Sequence, residues 1–399
     1  MSDVSTSRPE PRAHRTLVLT AAKVGLQAGF FLLAPLVLRD EVAAAMFLAF
    51  AIQAFLCPSA ALGSQFRLVR SLSTHSPNLR SATSTFYVGL LVLVVAVPIL
   101  LTVYGDVMFT IFSLLAYLTM NYVRIFADAI AQGTGKYNVS QSAYLGFWAT
   151  KFAFLGLVHL VDAAPGFSDL ALLEVVTSIP WVAFAVHWLW KRKLGPSLSI
   201  RWAEEGILTV TTASRNAWME ADRLLLPLVA TSAFYVDYSI IGRVSTGAVA
   251  LVSSFLASVT PHIIRSRPED LDTFLRKGKM PVAAATGAYV VGACVVVAMY
   301  PSVRGEMALA LGIGVLIPPL VYWSHIYLDY VFYNESPTKR LISNLIGTFI
   351  VAAAALVCGP VGSASVVVAG IVLSYGVTGL IARRWCRALV AHPAGVTPC

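Results

Sequence analysis

Charge is scarce in this chain of 399 residues: Asp, Glu, Lys and Arg together make up 12%, and only 20 residues are acidic. With a mean hydropathy of +0.75, the chain has too little polar surface for a water-soluble globule and too much apolar surface for a disordered segment. Cysteine is sparse as well. Cys57, Cys294 and Cys358 fall inside apolar runs, and Cys386 and Cys399 lie on the side predicted below to be reducing. No disulfide framework and no metal-ligand spacing follow from that pattern. Long polar stretches are missing too. The longest gaps between apolar runs, about 66–83, 191–205 and 261–280, cannot bury a core of their own, so no soluble catalytic domain is expected.

Nucleotide chemistry finds little support. Gly133-Thr-Gly135-Lys136 lacks the glycine spacing and the hydroxyl after the lysine that a phosphate loop needs. It reads instead as a Gly-rich helix exit with an interfacial lysine, and no ATP hydrolysis or cofactor is expected. Asp270-Leu-Asp272 has a two-carboxylate spacing that holds metal in some glycosyltransferases. Proline followed by acids at Arg267-Pro268-Glu269-Asp270 is also a helix start. Leu271, Phe274 and Leu275 then form one apolar stripe, closed by Arg276, Lys277 and Lys279, which favours an amphipathic helix on the inner leaflet over a metal site.

What the sequence does contain is twelve apolar runs of about twenty residues: 16–38, 43–66, 84–104, 108–131, 140–161, 170–190, 206–232, 236–260, 281–300, 306–330, 340–359 and 362–382. Each crosses a hydrocarbon core of about 30 Å as a helix rising about 1.5 Å per residue. The basic residues fix the orientation. Twenty-one of them, among them Arg67, Arg70, Lys136, Lys191 to Lys193, Arg276, Lys277, Lys279 and Arg383, occupy the two tails and alternate gaps, against Arg39 and Arg304 in the opposite gaps. Lys and Arg accumulate on the cytoplasmic side, so both termini are expected there, with the first run an uncleaved span. The net charge of +9 then reflects insertion and contact with anionic membrane lipids rather than nucleic-acid binding. The reading is an all-α polytopic membrane protein of about twelve helices, organised as a six-helix bundle at 1–190, a basic cytoplasmic linker at 191–205 and a second bundle at 206–399, around a central cavity.

Charges inside the runs carry the functional signal, because each is costly at membrane depth and faces protein or a water-filled cavity. Lys151 lies at the middle of the fifth run and Lys23 in the first, neither with an acid one turn away. Arg124 and Asp128 in the fourth stand at i and i+4, where a helical ion pair is the ordinary expectation. The seventh run is the richest. In Arg215-Asn-Ala-Trp-Met-Glu220-Ala-Asp222-Arg223, the polar positions share an arc of about 160° at 100° per residue. Glu220 and Arg223 pair at i and i+3 in a neutral knot, or the face lines a hydrated cavity where the arginines meet an anionic headgroup and a carboxylate binds a cation or proton. Together with Lys151, Lys23 and Arg243 the buried set is positive overall, which favours a negative cargo.

Three segments carry a resemblance: Met219-Glu-Ala-Asp222-Arg-Leu-Leu-Leu-Pro-Leu, Tyr235-Val-Asp-Tyr238-Ser-Ile-Ile-Gly-Arg243-Val and Leu256-Ala-Ser-Val-Thr-Pro261, with Phe47-Leu-Ala-Phe and Leu62-Gly63 leading to Arg67 and Arg70. Together they resemble the polysaccharide or O-antigen flippases (Wzx-like) of the multidrug/oligosaccharidyl-lipid/polysaccharide (MOP) exporter superfamily. In this chain the Asp222 position is crowded by Arg215, Glu220 and Arg223. The resemblance implies a bacterial cytoplasmic-membrane transporter, not an enzyme. It would move a polyprenyl-diphosphate-linked oligosaccharide by alternating access, alongside a polysaccharide polymerase or glycosyltransferases of the same pathway. Lys151, Arg215 and Arg223 would hold the diphosphate, Lys23 and Arg124 would recruit it, and Glu220 or Asp222 would bind a coupling ion. A multidrug or metabolite antiporter of the same superfamily, and a membrane-embedded glycan polymerase or glycosyltransferase, are the competing readings.

Overall fold

The computed structural model describes residues 11–61, 68–69, 72, 79–105, 109–192, 194, 202–303, 305–334 and 336–391. Among these residues there are helices, two short 3-10 turns and connecting turns, and no strand. That is the composition the bilayer demands, since a helix satisfies its backbone groups within itself where no water can. The helices are α1 (Pro11–Val37), α2 (Asp40–Ala60), α3 (Leu79–Tyr104), α4 (Ile111–Gly133), α5 (Tyr137–Leu160), α6 (Phe167–Lys191), α7 (Trp202–Val229), α8 (Ser232–Arg265), α9 (Leu271–Lys277), α10 (Lys279–Met299), α11 (Glu306–Gly314), α12 (Ile317–Asn334), α13 (Pro337–Cys358) and α14 (Ala364–Ala391). Nine stretches among the described residues are long and apolar enough to cross a membrane. Helices α7 and α8 are long, but carry the polar residues of the candidate site. The chain is a multi-pass membrane protein.

Local chemistry sets several boundaries. Thr110 caps α4 by accepting from the Ser113 amide at 3.1 Å, while Ser113 Oγ accepts from the Thr110 amide at 3.0 Å, the reciprocal arrangement that satisfies two orphan donors. Thr231 caps α8 through the Phe234 amide at 3.3 Å, and Ser336 caps α13 ahead of Pro337. At the end of α4, Thr134 Oγ1 donates back to the Ile130 carbonyl at 2.7 Å and Gly135 adopts φ +74°. Gly133–Lys136 is therefore a helix exit, with Gly135 in the left-handed region that favours glycine. The 306–330 run is not one helix. Pro318 and Pro319 cannot donate backbone hydrogen bonds, and the chain breaks after Gly314 before α12 begins at Ile317.

Pro268–Asp270 forms a 3-10 turn leading into α9, with Leu271 buried. Asp270 accepts from the Arg267 amide at 3.3 Å, and Asp272 from the Tyr327 hydroxyl at 3.0 Å. The two carboxylates are thus used separately, and no group of three or more His, Cys, Asp or Glu that could hold a metal occurs among the described residues. Cys57, Cys294, Cys358 and Cys386 are not joined in disulfides among the described residues. Most of the basic linker, residues 193 and 195–201, lies outside the described residues, as do Arg8, Arg67, Arg70, Arg304 and Cys399.

Helices α1 to α6 make up the first half of the chain and α7 to α14 the second. In the first, α4 packs on α6, α1 on α5 and α3 on α4; in the second, α13 packs on α7 and α14, and α12 on α8 and α14. The halves meet where α2 packs on α7 and α8, and α1 on α8. Two tyrosines tie this seam at the same ends of the helices: Tyr104 donates to the Leu224 carbonyl at 2.8 Å, and Tyr300 donates to the Leu32 carbonyl. Close approach of α3 to α2 depends on Gly89, where an added Cβ would lie 2.0 Å from Tyr122 Oη and 2.6 Å from the Ala60 carbonyl oxygen. The carbonyl cannot rotate away, so Gly89→Ala is expected to cost about 1–3 kcal/mol by overpacking, measurable as a lowered unfolding temperature of the detergent-solubilised protein. An unchanged temperature would mean that α2 and α3 slide apart freely.

Candidate functional site

Six of the charged residues singled out in the sequence, Lys23, Arg124, Lys151, Glu220, Asp222 and Arg223, line two cavities, one in each half. The first, of about 150 Å³, is lined by Lys23, Asn121, Arg124, Tyr144, Lys151 and Glu174, among others. At its base Glu174, on α6 and fully buried, joins two helices. One carboxylate oxygen lies 2.5 Å from Lys151 Nζ on α5, and the other 2.5 Å from Arg124 Nη2 on α4. Sequence reading passed over Glu174. The rule that singled out Lys151 applies equally to a lone acid within Leu172-Leu-Glu-Val175, but nothing in one dimension says which buried cation it meets.

Aromatic rings complete the lining. The Lys151 ammonium sits 4.4 Å from the Phe147 ring centre and 4.9 Å from that of Trp148, the Arg124 guanidinium 4.2 Å from Phe147, and the Lys23 ammonium 3.7 Å from Tyr144. Such contacts attract a cation electrostatically. The i, i+4 pair expected between Arg124 and Asp128 does not form, because each side chain finds a better-aligned partner on another helix or turn. Arg124 takes Glu174 and Asn121, while Asp128 accepts from Tyr144 Oη at 2.6 Å and from Ser140. Three cations, Lys23, Arg124 and Lys151, therefore face two carboxylates in this half.

The second cavity, of about 70 Å³, is lined by Glu220, Asp222, Arg223, Tyr238, Gly242 and Thr246, among others. Arg223 donates to Glu220 at 2.9 Å, to the Gly242 carbonyl at 3.0 Å and to Thr246 Oγ1 at 2.7 Å, and Tyr238 donates to Asp222 at 2.5 Å. The i, i+3 pair of Glu220 and Arg223 is thus made, at the wall of a cavity. Here one cation meets two carboxylates, the reverse of the first half. Arg215 lies apart: it is exposed and lines neither cavity.

Between the two lies a residue that sequence reading counted only as a charge. Arg243 on α8 is 4% exposed, and its guanidinium stands 4.0 Å from the Phe50 ring centre, 4.4 Å from Phe31 and 5.4 Å from Phe47. Phe31 and Phe50 also line the first cavity. All three guanidinium nitrogens lack a hydrogen-bond partner among the described residues. A buried guanidinium without an acceptor is costly, and it sits on the seam where the halves touch.

No protein-family model and no curated protein matches the sequence. Solved structures do match in fold. An inward-facing multidrug resistance MATE family transporter of the MOP superfamily superposes with a TM-score of 0.59 at 14% identity, covering 96% of this chain and 100% of that one. A MATE protein in complex with MaL6 gives 0.61 at 14% identity, covering 95% of each chain. A MOP superfamily transporter from Pyrococcus furiosus, for which reversed polarity of the binding pocket suggests a different function, gives 0.58 at 13% identity, again covering 95% of each. The chain has the MATE transporter fold over nearly its whole length.

Proposed function

We propose that this chain flips a polyprenyl-diphosphate-linked oligosaccharide across the bacterial cytoplasmic membrane. The observation that carries the reading is the surplus of cations: half-buried Lys23 and buried Arg124 and Lys151 around the first cavity and buried Arg243 beside it, with too few carboxylates to neutralise them. A diphosphate crosses hydrocarbon only where cationic side chains replace its water, and a basic cavity has no use for a cationic drug. In this reading Lys151, Arg124 and Lys23 receive the diphosphate and Arg243 reaches it when the halves part. The acid-rich second cavity, with Glu220 and Asp222 around Arg223, binds a coupling cation or proton. Arg215, outside both cavities, meets the headgroup only on its approach.

Two bundles, 1–190 and 206–399, rock about the seam to expose the cavities to each side in turn. Cavities of about 150 and 70 Å³ fall below the roughly 300–1,000 Å³ of ligand pockets, so in this reading the headgroup enters as the halves part. A multidrug antiporter is the second reading, and the MATE neighbours favour it as fully as they favour the first. Their names give drug export for the same fold, while the pocket of reversed polarity in one of them supports a fold that serves cargo of more than one charge.

Lys151→Ala separates the readings in cells. Arg124 still neutralises Glu174 in that variant, so insertion is expected to persist while glycan export fails and lipid-linked glycan accumulates on the inner leaflet. Extraction and quantification of the lipid-linked pool checks this, and wild-type export by a correctly inserted Lys151→Ala protein would refute the headgroup site.

A further inference from the structure

Glu174 occupies the position an anionic cargo would need. Its two oxygens engage Arg124 and Lys151, one each, at 2.5 Å, and both cations line the cavity. Arg124 keeps a second terminal nitrogen, Nη1, buried and without a partner among the described residues, so the cluster has donor capacity beyond what one carboxylate uses. A diphosphate offers more acceptor oxygens and more charge than a carboxylate, and both cannot hold the same cations. From this competition we infer that Glu174 is a proton-exchange site: binding of the diphosphate headgroup displaces its carboxylate from Arg124 and Lys151, and the released carboxylate takes up one proton from water on the side to which the cavity opens.

The one other cation lining the cavity, Lys23, is held at the Tyr144 ring, 3.7 Å from its centre, and is drawn to the diphosphate along with Arg124 and Lys151. The charged or titratable groups facing it are Arg124 and Tyr117 on α4, Lys151 and Tyr144 on α5, and Cys57 on α2. The Tyr144 hydroxyl is already given to Asp128, and the Cys57 thiol points to the Leu118 carbonyl at 3.5 Å. A carboxylate buried without a cation neutralises rather than stays charged. When the cargo leaves, the proton leaves and Glu174 re-forms both ion pairs. The empty protein can then change state without two bare cations in its core. This exchange is additional to any ion bound by Glu220 or Asp222, and it rests on the headgroup-site reading above.

The test uses the full chain in detergent with farnesyl diphosphate as the probe, at alkaline pH where the probe itself is fully ionised. Titration calorimetry in buffers of different ionisation heat reads protons taken up per ligand. Wild type is expected to take up about one proton and Glu174→Gln none, with binding to the variant roughly tenfold tighter because the internal competitor is gone. Equal proton counts in both proteins would overturn the inference while leaving the headgroup site standing. Absence of binding to either would overturn the headgroup site, and this inference with it. Should Glu174→Gln fail to fold, infrared difference spectra of the wild type decide: a protonated-carboxyl stretch that appears on adding the probe and survives Glu220→Gln and Asp222→Asn supports it. No such band, or one lost with either of those substitutions, contradicts it.

Discussion

Replacing Glu174 by leucine is expected to destabilise the protein by about 3–5 kcal/mol, because it strips the shared acceptor from two buried cations at once. Arg124 and Lys151 are 7% exposed each and would be left with aromatic faces and Asn121 alone. The effect should be conditional. Adding Arg124→Met and Lys151→Met to Glu174→Leu removes the stranded charges, and replacing a buried ionic cluster by packed apolar side chains is often neutral or stabilising by about 1–4 kcal/mol. The triple variant is therefore expected to recover most of the lost stability and none of the transport. Unfolding in mixed detergent micelles checks the first part and export assays the second. If Glu174→Leu alone were as stable as the wild type, Glu174 would not be the shared partner of two buried cations that the geometry describes.

Arg243 should behave in the opposite way. No hydrogen bond is lost when it is shortened to methionine, since its guanidinium has no acceptor among the described residues. The phenylalanines that receive it, Phe31, Phe47 and Phe50, pack as well against a thioether. Relieving an unsatisfied buried group of this kind is expected to leave stability unchanged or raise it by about 1–3 kcal/mol, even after allowing about 0.5–2 kcal/mol for the lost cation–π attraction. Transport is expected to fall at least tenfold. A residue that costs stability and is needed for activity is one held for a ligand. Equal loss of stability and transport in Arg243→Met would assign it instead to holding α1 and α2 against α8.

How far the sequence foretold this arrangement depends on whether the cause was local or crossed between helices. Hydropathy located the helices well. Each of the twelve apolar runs falls largely on helix, with the 306–330 run split between Gly314 and Ile317, just before Pro318 and Pro319, and the end of the second run outside the described residues. Those signals are carried by neighbouring residues, and so are the Gly133–Lys136 helix exit and the proline-led start of α9. The site was legible only in part. Lys151, Arg124 and Lys23 stood out as charges in apolar surroundings, and the structure brings them to one cavity. Their shared partner Glu174 did not, and Arg124 was read with Asp128 because i, i+4 pairing can be seen in a sequence whereas pairing from α4 to α6 cannot. Arg215 was grouped with Glu220 and Arg223 by helical arc alone. Position along α7 separates it from them, leaving it exposed while they face the second cavity. The opposite charge balance of the two halves emerges only when residues 23, 124, 151 and 174 are brought around one space and 220, 222 and 223 around another.

Direct binding decides whether these cations serve an anionic headgroup. Purified full-length protein would be titrated with farnesyl diphosphate and, separately, with a lipophilic organic cation of the kind multidrug exporters carry. Saturable binding of the diphosphate, weakened at least tenfold by Lys151→Ala and by Arg243→Met, with no saturable binding of the cation, is the expected result. Saturable binding of the cation, with the diphosphate ignored by the wild type, would contradict it.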